Sequence, residues 1–548
     1  MTVTSRTCSL SGLFAAVANG ILLIGFAVVV LGFLYGPPYR LEQYDLPKEI
    51  AIGSVGLFAA LLLIPRACAV EADRIALLLF AFVCWGAVVS AALAVNGPAA
   101  WRTVGHFGAA TLVFLLARRL GRLGAGAAIY WGVAIVVSVM CIVVLLEAYG
   151  GLQFLSAPGR RPGATLGNRN LAARLACCAL PVVLDRLIAR NRTKFLWMLW
   201  AMTAALSATI VLSRSRGALL VSLLVIMVLS TAALWLAPKD VSLRWRSATR
   251  TWLLGVSIGA AAAILLPNRM GWNASDFANS GRRVFEFESG TGRGRLIQAE
   301  TTWRMIRREW LLGVAPGNWS VRYPDYARND DPSVSLGAFY PGPQTPRNDI
   351  LALIAEWGVV GFGMGIALLA TLGSGTRKLL RSSSTRARQA GLMVLGVSAS
   401  AAMLGLFDSV LRVAPSAMLI ALLVGVALGD GEGRYDCAKR RKDCAARRIW
   451  MPAVVVCAVF SLVMTRSASQ DLAAMRIINS FDSTQDLARA VAIAPNNVEA
   501  RGLLSYVLVT AGRCDLASPH LRRAAQLQPR SAFVARLESL CTRSMPSR

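Results

Sequence analysis

Apolar residues along this chain come in solid blocks separated by short polar stretches, and they do not thin into the three-and-four spacing of an amphipathic surface helix. A block that is apolar all round suits lipid or the middle of a helix bundle, and about 20 helical residues cross a hydrocarbon core roughly 30 Å thick. On that rule thirteen spans are predicted, over residues 13–34, 50–65, 75–95, 103–117, 125–149, 171–189, 195–212, 217–237, 251–266, 350–373, 389–407, 413–429 and 449–465. Two segments break the pattern, 268–348 and 466–548. The expected fold is all-α: a polytopic membrane bundle of 12–13 transmembrane helices, with an N-terminal part over 1–267, a large external loop over 268–348, C-terminal spans over 349–465 and a small helical unit over 466–548.

The first break is rich in aromatic residues and prolines, among them Trp272, Phe285, Trp303, Trp310, Trp319, Pro341, Pro343 and Pro346, which argues for an ordered loop. Within it, "GRLIQAETTWRMIRREWLLG" sets Leu296, Ala299, Trp303, Ile306 and Trp310 at helical spacing, with Arg295, Arg304, Arg307 and Arg308 elsewhere on the helix. That pattern predicts a helix lying in the membrane interface, its tryptophans towards lipid. The second break repeats itself: Ala494-Pro495 and Gln528-Pro529 stand 34 residues apart, each closing a helical pattern. This is the tetratricopeptide period, so the tail is read as about two helix pairs suited to binding a protein partner.

Charge refines the topology. The chain carries 58 Lys and Arg against 29 Asp and Glu, a net charge of +29, but the basic residues gather in alternate loops. They are Arg118, Arg119 and Arg122; Arg186, Arg190, Arg192 and Lys194; Lys239, Arg244, Arg246 and Arg250; Arg377, Lys378, Arg381, Arg386 and Arg388; and Lys439, Arg440, Arg441, Lys442, Arg447 and Arg448. The positive-inside bias puts these loops and the N-terminus in the cytoplasm, and with an odd number of spans the tail lies outside. Charge of this kind records topology and attraction to anionic lipid, so no nucleic-acid partner is expected. The first apolar run is too long for a signal peptide and is read as a retained span. Five of the eleven cysteines, Cys84, Cys141, Cys177, Cys178 and Cys457, fall in spans; Cys437 and Cys444 have poor zinc spacing, and Cys514 and Cys541 can pair if the tail is exported. No metal and no cofactor is implied.

Several arginines fall on the external side, where positive charge is disfavoured. Asn168, Arg169 and Asn170 open one span, with Arg174 a turn inside it; Arg214 and Arg216 lie between two others; Arg295 belongs to the loop helix, and Arg347 stands at the mouth of the next span. Guanidinium binds phosphate as a two-pronged fork and stays charged at physiological pH. Helix starts add free N–H groups that favour anions. Together these residues describe a diphosphate cradle at the membrane surface, and a membrane-embedded diphosphate on that side suggests a polyprenyl-diphosphate carrier.

The stretches "GNRNLAARL", "SRSRGALL", "GRLIQAETTWRMI" and "RNDILALIAEWGVVG", in that order, resemble the bacterial O-antigen ligase and polysaccharide polymerase superfamily over roughly residues 75–430. The resemblance implies a metal-independent, inverting glycosyltransferase in the bacterial inner membrane, transferring glycan from a polyprenyl-diphosphate donor to a glycan or lipid acceptor on the outer face. It also implies diphosphate contacts for Arg216 and Arg295, and it matches Asn348 to the asparagine of the family's His-Asn pair. Arg347 departs from the pattern, since a histidine is usual there; the chain's two histidines are His106 in a span and His520 in the tail. Arginine cannot act as a general base, with a pKa above about 12. The expected catalytic group is therefore Arg347, Asn348 and Asp349, with Glu300 and Asp325 as further candidate bases, and the expected diphosphate ligands are Arg214, Arg216, Arg295, Asn168 and Asn170. Local chemistry alone also accounts for "TPRND" as a helix start, with Thr345 as N-cap, Pro346 at the first helical position and Asp349 facing the dipole. A flippase or a scaffold built on the tail remain the alternatives; neither explains arginines arriving from separate external loops.

Overall fold

The computed structural model describes residues 2–34, 44–65, 73–152, 155–156, 158–189, 195–282, 290–334, 337, 339–432 and 444–544. Phe285, Cys437 and the basic residues at 190–194 and 439–442 lie outside them. Each predicted apolar block folds as a helix. The first nine are α1 (Thr2–Leu31), α2 (Asp45–Leu63), α3 (Arg74–Leu93), α4 (Gly97–Arg122), α5 (Gly126–Leu145), α6 (Arg169–Ala189), α7 (Leu196–Leu212), α8 (Arg216–Trp235) and α9 (Ser242–Leu265). The loop contributes α10 (Ala274–Arg282), α11 (Gly290–Arg308) and α12 (Trp319–Tyr326). The bundle then closes with α13 (Asp349–Leu380), α14 (Thr385–Gly405), α15 (Ala414–Gly431) and α16 (Cys444–Ile478), followed by the tail helices α17 (Thr484–Ile493), α18 (Val498–Thr510), α19 (Cys514–Leu527) and α20 (Ala532–Ser544).

Eleven of these helices are long and apolar enough to cross a membrane, two fewer than the predicted thirteen. The two that fall short are α7, with 17 residues, and α6, which carries Arg174, Asp185 and Arg186 along its length. Helix α6 is almost wholly buried against α5, α7, α9 and α14, so its charged groups face protein instead of lipid. At the centre α15 lies along α4, where Gly425 and Gly429 let it rest on the backbone of Phe114 and Arg118. Close approach through small residues is the usual basis of helix association in lipid.

The helix ends sort onto two faces. On one, Arg118 pairs with Asp73 and with Glu432, which Arg122 also contacts at 2.7 Å; Arg386 meets Asp430 at 2.7 Å; Arg388 donates to the Leu236 carbonyl at 2.9 Å and Arg244 to that of Ile188 at 2.6 Å. Among the described residues, these basic side chains lock helix ends together on this face. The opposite face carries the 268–348 loop and the tail.

Helix α13 is broken. Gly358 has φ 64° and ψ −173°, a backbone state that glycine reaches easily. The amide of Val359 donates to the Trp310 carbonyl at 2.9 Å, and the Ala355 carbonyl accepts from Val314 at 2.8 Å. Irregular backbone near a membrane is tolerated where protein re-satisfies it. The start of α13 is thereby packed into the loop layer, and its hydrophobicity reflects that contact as much as lipid. On α11 the apolar stripe divides: Leu296, Trp303 and, just past its end, Trp310 are exposed, whereas Ile306 is buried with Met305, so Ile306 belongs to the protein-facing side and not to the predicted interfacial one.

In the tail, equivalent turns occur at 494–497 and 528–531. Asn497 caps α18 by accepting from the Ala500 amide at 2.9 Å. A disulfide joins Cys514 at the start of α19 to Cys541 near the end of α20. The long α16 runs on past its apolar part, and Asp471 on it accepts from Arg102 of α4 at 2.8 Å and from Asn497 at 3.1 Å, tying tail to bundle.

Candidate functional site

The N-terminal ends of α6, α8 and α13, the helix α11 and the turn between α14 and α15 meet on the loop-bearing face. The α13 start is fixed first. Asn348 is its N-cap, in extended backbone, its side chain accepting from the Leu351 amide at 2.9 Å and donating to the Leu406 carbonyl at 3.0 Å. The cap is thus Asn348 and not Thr345, and Pro346 lies ahead of the helix instead of in its first turn. Asp349, the first helical residue, accepts from the amides of Val410 at 2.9 Å and Leu411 at 3.1 Å. These two residues pin the 406–413 turn against α13.

That turn presents Asp408. Its carboxylate pairs with Arg174 of α6, both side chains being less than a tenth exposed, and with Arg347 at 3.2 Å, whose side chain is 43% exposed. Arg174 also donates to the Ser409 carbonyl at 2.6 Å, and the Ser409 hydroxyl donates to the carbonyl of Pro346. Arg295 of α11 belongs to the same group. Its guanidinium is held below the ordinary arginine range by burial first, is drawn back up by Asp408, and is pushed down again by the charges of Arg347 and Arg216. Arg174 in turn feels Asp408, Arg347, Asp349 and Arg295. Gly217, next to Arg216, lies on Phe407, which places the start of α8 beside the same turn.

Four guanidiniums against the carboxylates of Asp408 and Asp349 leave a surplus of two positive charges. A diphosphate bridging a sugar and a lipid carries two negative ones. The arrangement can hold such a group and stabilise the further charge that develops as it departs.

Not every expected ligand joins this cluster. Arg214, with a left-handed φ of 50°, turns to α10: it donates to the Ser280 hydroxyl at 2.9 Å and the Asp276 carbonyl at 3.2 Å, and lies 5.0 Å from the centroid of Trp272. Arg169 lies 5.4 Å from the centroid of the same indole. Arg214 therefore fastens the start of the loop to the α7–α8 turn. Asn168 accepts from the Asn170 amide at 3.0 Å in the turn that starts α6, and Asn170, four residues before Arg174, lies on the same helix face. Glu300 is bound to Arg328 at 2.5 Å, and Asp325 to Arg322 at 2.9 Å and Arg530 at 2.5 Å, so both are engaged in the loop layer. Glu356 is buried, paired with Arg412 at 2.9 Å and accepting from the Trp319 amide at 3.2 Å. Among the described residues no group of three or more His, Cys, Asp or Glu side chains gathers to hold a metal ion.

Asp408 had no sequence signal of its own; a lone acid between two apolar runs reads as an ordinary turn residue. The nearest clue was Arg174, a charge inside a span that must find a partner.

The fold and this cluster describe a multi-pass helical membrane protein with a group of arginines gathered about Asp408 at one end of its helix bundle. Residues 201–366 match the family model described as O-antigen ligase. The match runs from α7 through the whole loop into α13, taking in Arg216, Arg295 and Arg347, while Arg174 and Asp408 fall outside it. It supports a place in the O-antigen ligase superfamily and a role in membrane glycan transfer during polysaccharide assembly. No curated protein matches the chain.

Proposed function

We propose that this chain is a metal-independent, inverting glycosyltransferase that moves a glycan from a polyprenyl-diphosphate carrier to an acceptor hydroxyl at the outer face of the bacterial inner membrane. The observation that carries this reading is the convergence of Arg174, Arg295 and Arg347 on Asp408, with Arg216 beside Arg295, on the face that also bears the aromatic loop. The acceptor oxygen attacks the anomeric carbon from the side opposite the diphosphate, the glycosidic bond to phosphate breaks, and the guanidiniums take up the charge of the leaving group. Arg347, the most exposed of the pair that shares Asp408, is the fork free to swing onto the diphosphate. Asn348 and Asp349 hold that fork in place through the helix start, and Asp349 or Asp408 receives the acceptor proton. Arg216 and Arg295 contact the diphosphate; Arg214 and Asn168 shape the wall of the site, and Asn170 faces it beside Arg174. The acceptor is a second carrier-linked glycan in a polymerase or a lipid or protein in a ligase, and the tetratricopeptide-like tail suits the last of these as a docking element.

The test is direct. Purified protein in detergent is given a synthetic polyprenyl-diphosphate oligosaccharide with chelator present. Release of polyprenyl diphosphate together with a lengthened or transferred glycan is expected, and gel analysis of product length separates polymerase from ligase. Full turnover in a variant lacking Arg216, Arg295 and Arg347 together would end the proposal.

A further inference from the structure

The segment leading into the site, "FYPGPQTPRND", is gripped at its far end by the tail. Phe339 packs against Phe533 of α20 with ring centroids 4.4 Å apart and planes tilted by 54°, and its ring lies over Gly502 of α18. Tyr340 packs against the core shared by α19 and α20. Close by, Arg530, in the turn before α20, meets Asp325 of α12 at 2.5 Å, and Asn96 at the start of α4 donates to the Leu527 carbonyl at 3.3 Å. From that grip the chain has little freedom before it reaches Arg347. Pro341 and Pro346 are buried, Pro343 fixes a third backbone torsion, and Gly342 is pressed onto the Ser320 carbonyl of α12. At the near end Ser409 holds the Pro346 carbonyl and Asp408 holds Arg347.

We propose that the C-terminal helical unit is a clamp that positions Arg347: by fixing Phe339 and Tyr340 it tensions a proline-stiffened strap whose other end carries the arginine into the anion site. The inference rests on the glycosyl-transfer reading for its effect on turnover, but the mechanical part does not. Phe533 and Phe339 are positioning residues, remote from substrate. A tail that served only to recruit partners would not need an aromatic pair and an ion pair on the loop that enters the site, nor a buried amide at the start of α4 to hold it there.

The experiment uses the full-length protein in detergent and reads amide hydrogen exchange in peptides spanning 339–348, with peptides of α4 and α15 as internal controls. Phe533→Ala and Phe339→Ala are each expected to raise exchange across 339–348 about tenfold, the scale of one aromatic pair with its burial, and to leave the controls unchanged. Phe533→Tyr keeps the ring and restores protection. Phe339→Ala covers the case in which Phe533→Ala unfolds the tail, because it opens the contact from the loop side. In the transfer assay both alanine variants lower kcat at saturating donor lipid, with a smaller change in KM. Unchanged exchange in both variants, or raised exchange with unaltered kcat, overturns the proposal. A wild-type protein that releases no polyprenyl diphosphate fails the transfer reading instead, and the exchange data still decide whether the strap is clamped.

Discussion

Two arginines share Asp408, and they are expected to fail in different ways. Replacing Asp408 with Asn leaves the charge of Arg174, whose side chain is 5% exposed, without its ion-pair partner, in contact with the Ser409 carbonyl and a neutral amide and with Asp349 as the acid still nearby. Stranding one member of a buried ion pair costs about 3–5 kcal/mol of stability. Arg347 is 43% exposed and makes a single 3.2 Å contact, so Arg347→Ala removes a surface-type pair worth about 0–1 kcal/mol. Turnover inverts the order of importance: loss of one preorganised donor to a developing anion lowers kcat by about 10²–10³. Unfolding followed against denaturing detergent, alongside polyprenyl-diphosphate release, separates the two. The reasoning requires Asp408→Asn to unfold far earlier than wild type and Arg347→Ala to unfold almost with it while losing nearly all activity. Equal destabilisation by both, or turnover in Arg347→Ala within a few-fold of wild type, would make Arg347 a structural partner of Asp408 and nothing more.

Arg295→Lys and Arg347→Lys each keep the charge but lose the fork, so both are expected to retain a few per cent of turnover where the alanine variants retain still less, as measured by initial rates at saturating donor. Cys514→Ser with Cys541→Ser removes a cross-link closing 27 residues, worth about 3.5 kcal/mol of denatured-state entropy, and the tail should become protease-sensitive while α4 and α15 stay protected. His520 is held below its ordinary value of 6.5, first by burial and then by the charge of Arg501, with which it is in contact at 3.2 Å. The folded tail prefers the neutral ring, so its contribution is complete above the unfolded pKa and is lost as pH falls below about 6.5. His520→Asn should flatten that acid limb in a pH series of tail proteolysis.

Much of the bundle was written in the hydrophobic pattern, because lipid selects apolar surface whatever the tertiary details. The thirteen predicted blocks fall on α1–α9 and α13–α16, yet their ends were misjudged wherever protein, not lipid, surrounds the helix. Helix α4 was predicted over 103–117 and runs from Gly97 to Arg122, since Arg102, Arg118 and Arg122 are neutralised by acids from α2, α16, the α3 start and the α15 end. Hydropathy also passed over the break at Gly358, whose stability comes from the backbone of 310–314 across the chain. The site was legible as a set of arginines on one side. Its centre was not, because Asp408 gains its meaning from Arg174, 234 residues away, and from a turn that Asp349 holds in place.

On the glycosyl-transfer reading proposed above, an arginine at position 347 shifts the burden of the reaction. A histidine can take the acceptor's proton, whereas Arg347 can only bind charge, so the rate must come from the leaving side. The surroundings fit that division. Asp349 spends one oxygen on two amides of the 406–413 turn, and Asp408 is occupied by Arg174 and Arg347. A glycosyl transfer state with much positive character at the sugar asks little of a base until the new bond is nearly made. On the proposed mechanism the departing diphosphate draws Arg347 away from Asp408 by then, which frees an oxygen of Asp408 to receive the acceptor's proton. On that reading the same ion pair holds the arginine before reaction and leaves a carboxylate oxygen for the proton during it.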